Sequence, residues 1–541
     1  MNDTGGAAGF SPPNDPGGLK PTAPLDRAHE LGQQIIDLLG IPKDEWEIAA
    51  QLEVMGLRDV DARTEYGARD LFDLARRIYD GFEQGRFRWY VEGEDPEKQS
   101  SFVKNYLTGL TFSLPMALQA VAMLAWGYGV WGAIAMDQRT GSAIALGFIG
   151  SYVLTGGFTQ AIVRRGLFYI YQGEKLLARW TALRAWWRSL QIVLALLMPA
   201  LLFNMLFGAL PWRMVFTAAG YYAALAILWL NWSLIYLLRK TWLFLITTTL
   251  ALAAVLVAAK VFHASPIAAN AVGLFVADSL SFALALYYLN ALAPRKRAVN
   301  PPRLTVLVYS TSRFFLYGLL YNTFLFADRF IAWTSATGRE DFPPYGFWLN
   351  VRYELGMDLA LIVVMVLSGV VEHATQRFSE TLVPREKRVK SVLASRFLSD
   401  SLSQHHTRFF TLIGSAVIAL ILALSVALLL RKMPSLPIHE SLVTMTTTRV
   451  FACAAVAYVI FIFALQNVLM LLTLSRVELV VRAVAIALAV NVAVGFLCSR
   501  AIHYSAAVLG LLAGAITLAL LASRAMKKVL NDLDYYYYAA Y

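Results

Sequence analysis

From Ser101 onward the chain alternates long apolar runs with short polar loops, and twelve runs stand out: 106–136, 142–163, 189–210, 214–238, 242–262, 267–292, 304–333, 347–371, 409–430, 450–474, 479–497 and 505–522. A hydrocarbon core of about 30 Å is crossed by roughly 20 apolar helical residues, and each run meets or approaches that length. Only helices and closed barrels satisfy their backbone groups in lipid, and these runs lack the period-two alternation of barrel strands. The pattern predicts an all-α integral membrane protein with about twelve transmembrane helices.

The basic residues of the loops set a topology. Arg164, Arg165, Lys175, Arg179, Arg184 and Arg188 follow the second run. Arg295, Lys296, Arg297 and Arg303 follow the sixth, and Arg377, Arg385, Lys387, Arg388, Lys390 and Arg396 follow the eighth. The intervening loops are poorer, with Arg139, Arg213, Arg339, Arg431, Lys432 and Arg500, so the positive-inside rule puts the first group and both termini in the cytoplasm. An even number of spans divides into two six-helix lobes, 101–293 and 304–523, joined by the Pro- and Arg-bearing stretch 294–303, a layout shared by many carriers built from paired halves. The expected location is the inner (plasma) membrane of a bacterium.

Before the spans, 1–25 is Gly- and Pro-rich and is expected to be disordered, with no apolar core of a cleavable signal. Residues 26–100 carry helical periodicity, with Leu31, Ile35, Leu38 and Leu39 on one face and Leu71, Leu74, Ala75 and Ile78 on another, and read as a small cytoplasmic helical module. After the spans, 524–541 forms a cytoplasmic tail whose Tyr535–Tyr538 cluster suits the headgroup zone.

Of the 541 residues, 58% are hydrophobic and only 15% charged, too little polar surface for a soluble protein of several domains. The net charge of +11 follows from loop position and does not call for nucleic acid. Cys453 and Cys498 both lie in apolar runs, without ligand spacing, so neither a disulfide nor a metal is expected, and no cofactor. GxxxxGK[ST], HExxH and GxSxG elements are absent, which speaks against an enzyme. Asn231-Trp232-Ser233 matches a glycosylation sequon but lies inside a span, and His263 and His503 stand at span edges.

Charges inside spans are costly and tend to face protein or water. Asp278 falls near the middle of the sixth run, Arg313 a third of the way along the seventh, and Asp328 and Arg329 near its outer end. Arg352, Glu354 and Asp358 occupy the outer part of the eighth, and the spacing of Glu354 and Asp358 puts both carboxylates on one helix face, toward a basic partner such as Arg313 or Arg329. Gln160, Tyr321 and Asn322 add hydrogen-bonding groups. The boundary charges serve equally well as structural locks between the seventh and eighth helices, whereas Asp278 and Arg313 lie deeper and point to a polar lumen. Pro115, Gly150, Gly156, Gly157 and Pro199 allow close helix approach or bending.

Two segments resemble a known family. GFIGSYVLTGGFTQAIVRRGLFYIYQGE (147–174) resembles the second span and following loop of polysaccharide transporters in the multidrug/oligosaccharidyl-lipid/polysaccharide flippase superfamily. YGLLYNTFLFADRFIAW (317–333), with YELGMDLA (353–360), resembles the seventh and eighth helices of the Pel-type exopolysaccharide transporter. There an Asp, a following basic residue and a nearby Trp close the seventh helix; Asp328, Arg329 and Trp333 take those places, with Arg instead of Lys. Glu354 and Asp358 match an acidic eighth helix, while the N-terminal module has no counterpart. The resemblance implies a carrier whose two lobes enclose a polar cavity for an exopolysaccharide or a lipid-linked glycan, with the lipid bilayer and possible glycosyltransferase or synthase subunits as partners. In it Arg313 would contact sugar, Asp278 would bind a coupling cation or a glycan amine, and the acidic pair with Arg329 would gate the outer mouth. Three alternatives stay open: a multidrug or small-solute exporter, a membrane glycosyltransferase or ligase, whose long outer loop is lacking, and a non-transporting scaffold for a synthase.

Overall fold

The computed structural model describes residues 24–39, 42, 44–87, 101–293, 304–339, 342–343, 345–386 and 394–531; the expectations for the N-terminal tail up to residue 23, the 294–303 linker and the tail beyond 531 fall outside these. By its internal contacts the chain divides into two units, residues 1–99 with 381–399, and residues 100–380 with 400–541.

In the first unit four helices form a small core: α1 (Pro24–Leu39), α2 (Glu45–Val54), α3 (Asp59–Tyr66) and α4 (Leu71–Glu83). Asp44 and Asp70 cap α2 and α4 by accepting from the backbone N–H groups of Glu47 (2.9 Å) and Asp73 (2.7 Å), which satisfies donors that a helix start leaves free. Ile35, Ile48, Leu52, Leu74 and Ile78 are wholly or almost wholly buried beside Phe82 and Phe87. The side chains of Leu38 and Leu39 lie outside the described residues.

The second unit is built of long helices. Its long helices are α5 (Phe102–Trp126), α6 (Gln138–Tyr171), α7 (Lys175–Ala195) continued by α8 (Leu197–Phe207), α9 (Trp212–Leu237), α10 (Trp242–Lys260), α11 (Pro266–Leu292), α12 (Leu304–Trp333), α13 (Val351–Glu386) and α14 (Ala394–Arg431). After a short α15 (His439–Val443) come α16 (Met445–Thr473), α17 (Val477–Ala501) and α18 (Val508–Asn531). Eleven, with α7 and α8 taken as one, are long and apolar enough to cross a membrane. α12, 30 residues long, is not among these eleven; it carries Arg313, Asp328 and Arg329. The protein is a multi-pass membrane protein.

Three boundaries depart from the sequence reading. The first apolar run continues past the helix: α5 ends at Gly127, whose φ of +80° suits a residue without Cβ, and the chain folds back so that Val130 and Ala133 are buried, with the Val130 N–H donating to Gln119 Oε1 at 2.8 Å. A loop that buries side chains against the bundle reads as apolar without being helical. The third run begins fourteen residues earlier than its hydropathy suggests, at Lys175, and breaks at Leu196 because Pro199 cannot donate to the Ala195 carbonyl and its ring crowds it. The stretch between the ninth and tenth runs is not plain loop but contains α15.

The first lobe is built on α6 packed against α9 and α7, and on α10 packed against α11 and α5; the second on α18 packed against α16 and α17, with α12 against α17. The two meet along two seams of small residues. In one, α6 lies on α12, where a methyl group on Gly318 would overlap the Gly156 carbonyl and come within 2.7 Å of Gln160 Cγ. In the other, α5 lies on α13, where a methyl group on Gly109 would fall 2.7 Å from both Gly369 Cα and the Ser368 carbonyl oxygen. Exchanging the lobes maps α5 onto α12 and α6 onto α13, so one seam becomes the other. In both seams the missing side chains let the backbones approach.

Candidate functional site

Residues at the C-terminal end of α12 and the N-terminal end of α13 converge on one cluster. The end of α12 is held by two guanidinium groups: Arg339 donates to the Ala332 carbonyl (3.1 Å), and Arg500 to the carbonyls of Ile331 and Thr334 (both 3.1 Å). Cations are favoured there because the last carbonyls of a helix lack partners and carry its negative dipole end. Opposite, Asn350 Oδ1 accepts from the Tyr353 N–H at 3.0 Å to start α13, and Glu354 sits in the first turn, where a negative charge is favoured.

Across this junction Arg329 Nη1 donates to Glu354 Oε2 at 2.7 Å and to Asp358 Oδ1 at 3.3 Å. Trp333 Nε1 donates to the other oxygen of Glu354 at 2.8 Å, and Tyr353 Oη donates to Asp328 Oδ2 at 2.7 Å. Asp328 is 0% exposed and Arg329 8%, so neither reaches out to the headgroups. Asp328 Oδ1 and Arg329 Nε are buried without a hydrogen-bond partner among the described residues. Asp358 differs: its side chain is 57% exposed although it pairs with Arg329. Two carboxylates thus share one guanidinium, and a third carboxyl group, that of Asp328, is held beside them by Tyr353.

The cluster continues into an aromatic wall. The Arg329 guanidinium lies 5.4 Å from the Phe326 ring centroid. Phe326 packs edge-to-face on Phe148 (5.8 Å) and Tyr152 (5.4 Å) of α6, and these pack on Trp229 of α9 (5.9 and 5.4 Å). All four rings are half-buried. Period and charge did not single them out, because a half-buried ring in a span has the same sequence signature as one facing lipid.

The sequence candidates therefore separate. Asp328, Arg329, Glu354 and Asp358 come together, and of the two basic partners open to the acidic pair only Arg329 is used. Arg313 corrects that reading: it pairs instead with Glu478 on α17 at 2.6 Å, and both side chains are more than half exposed. Arg352 is exposed at the start of α13, and its contribution is a carbonyl that accepts from Thr447 Oγ1 at 3.1 Å. Gln160 and Asn322 stitch the α6–α12 seam, Gln160 against Gly318 and Asn322 Nδ2 donating to the Tyr152 carbonyl at 2.8 Å. Asp278 lies in the first lobe, on a helix packed on α9 and α10: its carbonyl accepts from Asn231 Nδ2 and Ser281 Oγ, both at 3.1 Å, and its Oδ1 is buried without a partner among the described residues. Asn231, read from the sequence only as a meaningless sequon, is the centre of that network and also accepts from Trp186 Nε1 at 3.1 Å. Among the described residues no group of His, Cys, Asp and Glu could hold a metal ion.

No protein-family model and no curated protein matches the chain. Solved structures do. An outward-facing multidrug resistance transporter of the MATE family is 15% identical with a TM-score of 0.55, covering 80% of this chain and 96% of that one. A MOP-superfamily transporter from Pyrococcus furiosus, whose binding pocket has reversed polarity, is 14% identical at 0.55, with 80% and 96% covered. The Vibrio cholerae MATE transporter VcmN in its bent form is 15% identical at 0.53, with 81% and 98% covered. At such identities the likeness speaks for the fold: the chain has the architecture of MATE-type transporters of the MOP superfamily, about twelve membrane helices in two six-helix lobes, preceded by a small helical module.

Proposed function

We propose that the chain is a carrier that moves a glycan, as a growing exopolysaccharide or a lipid-linked precursor, across the plasma membrane between its two lobes. One observation carries the reading: the Arg329–Glu354–Asp358 cluster adjoins, through Phe326, the rings of Tyr152, Phe148 and Trp229. A sugar ring has apolar C–H faces and a polar rim, so it needs ring surfaces beside charged hydrogen-bonding groups, the mixture that marks binding sites of amphipathic ligands. The spare negative charge of the cluster suits a glycan amine or a coupling proton or monovalent cation. Occupancy by a cation would compete with Arg329 for the carboxylates and loosen the α12–α13 junction, which is how ion binding would bias the lobes between two states. The resemblance of 147–174, 317–333 and 353–360 to polysaccharide transporters supports the substrate class. Asp278 and Arg313 take no part in this proposal.

A second reading, multidrug export, is favoured by the MATE-type structures, since an aromatic wall beside carboxylates also suits flat organic cations. Replacement of Arg329 by Gln and Glu354 by Gln in polysaccharide-producing cells separates the two. The glycan reading expects surface polysaccharide to fall steeply at normal protein levels, with intracellular dye unchanged. Unchanged polysaccharide with raised dye supports the multidrug reading instead, and no change in either removes the cluster from transport.

A further inference from the structure

The strongest unassigned feature is a basic and aromatic stripe on α7. Lys175, Arg179, Arg184 and Arg188 fall in one 21-residue helix that contains no acidic residue. Trp180 and Trp187 are 50% and 53% exposed, and Arg184 and Arg188, one turn apart, are exposed too. With Arg179, Leu183 and Gln191 these residues form one face of α7.

Arg179 is committed, donating to the Ala293 carbonyl at 2.9 Å, and Arg188 donates to Gln191 Oε1 at 3.1 Å, while Arg184 has no partner among the described residues. Like charges one helical turn apart repel, so the arrangement calls for an anion. Depth says which. Together α7 and α8 are 33 residues, roughly 50 Å of helix, which exceeds a hydrocarbon core of about 30 Å. The apolar run starts at Ser189, so the stripe lies at headgroup level, where exposed Trp rings are anchored.

We infer that Arg184 and Arg188, flanked by Trp180 and Trp187, form a binding site for the phosphate headgroup of an anionic bilayer phospholipid. The guanidinium groups take the phosphate oxygens in charge-assisted hydrogen bonds, and the indoles pack along the first carbons of the acyl chains.

The test uses the full-length protein in nanodiscs of phosphatidylcholine, with phosphatidylglycerol titrated in, reading retained lipid by native mass spectrometry and the melting temperature in parallel. The wild type should retain phosphatidylglycerol and melt higher as it is added. Arg184→Gln/Arg188→Gln should weaken retention about thirty-fold and abolish the shift, whereas Arg213→Gln should behave as wild type. Should the double variant not fold, Arg184→Gln alone is expected to show about a five-fold loss. Undiminished retention in the variants, equal stabilisation by phosphatidylcholine, or the same melting shift from millimolar inorganic phosphate would each overturn the assignment.

Discussion

Arg329 and Trp333, one turn apart on α12, hold the two oxygens of a single carboxylate, Glu354, at 2.7 and 2.8 Å. The pair joins α12 to α13 through charge-assisted hydrogen bonds that fix direction as well as distance.

Breaking one side of this junction leaves a charge buried without its partner. Arg329→Met is expected to destabilise the purified protein by about 3–5 kcal/mol, and Arg329→Met/Glu354→Leu to recover part of that loss, because the stranded carboxylate is gone. Trp333→Phe removes one hydrogen bond to a charged group and should cost about 1.5–3 kcal/mol. Thermal unfolding in detergent reads all three. If the double variant melts no higher than the single one, Glu354 is not stranded by the loss of Arg329.

The two seams should respond to the smallest possible insertion. Gly109→Ala and Gly318→Ala each place a methyl group against backbone atoms and are expected to cost about 1–3 kcal/mol. Gly220, with nothing within 4 Å of its would-be Cβ, is the control and should tolerate Ala without loss. Equal melting temperatures for all three would show that the lobes do not meet as described.

His503, in the turn between α17 and α18, gives a pH signature. Burial, with Arg339 and Arg449 nearby, holds its imidazole below the usual range, and its Nδ1 accepts from the Ser505 N–H at 3.2 Å. A folded value below the unfolded one means that the native state binds fewer protons. The stabilisation is therefore present above about pH 6.5 and is lost as pH falls through the lower folded value. His503→Asn should flatten the acid side of the melting profile, and an unaltered profile would refute the assignment.

In the N-terminal module, Leu74 is 0% exposed, and Leu74→Ala should cost the module about 2–5 kcal/mol. Amide exchange is expected to rise across α2 and α4 while α9 and α16 stay protected. Uniform loss of protection along the chain would mean that the module does not open as a unit.

Much of the architecture was legible because lipid is a severe solvent. A run of apolar residues long enough to cross it has few conformational options, so the long helices between α5 and α18 announce themselves, and α12 coincides with its predicted limits. Hydropathy failed where a segment is apolar for another reason, as in the loop after α5 that buries Val130 and Ala133, and where a helix outruns the bilayer, as α7 does.

The candidate site was legible in part. Helical spacing placed Glu354 and Asp358 on one face but could not choose between Arg313 and Arg329, which lie on the same helix sixteen residues apart. Phe148, Tyr152 and Trp229 gave no signal, since aromatic residues facing a lumen, a neighbour or lipid look alike in one dimension.

What the sequence by itself determined is the class of molecule: a membrane bundle of about twelve helices with charges confined to a few positions, because burial of apolar surface and the cost of intramembrane charge depend on composition and period alone. What only the tertiary structure decided is partnership: that Arg329 joins Glu354 and Asp358, that Arg313 joins Glu478, and that Asp278 stays apart. Ion pairing and ring contact act over a few ångströms between segments distant in the chain, and only the packing of α12 against α13, α17 and α6 brings such segments within reach.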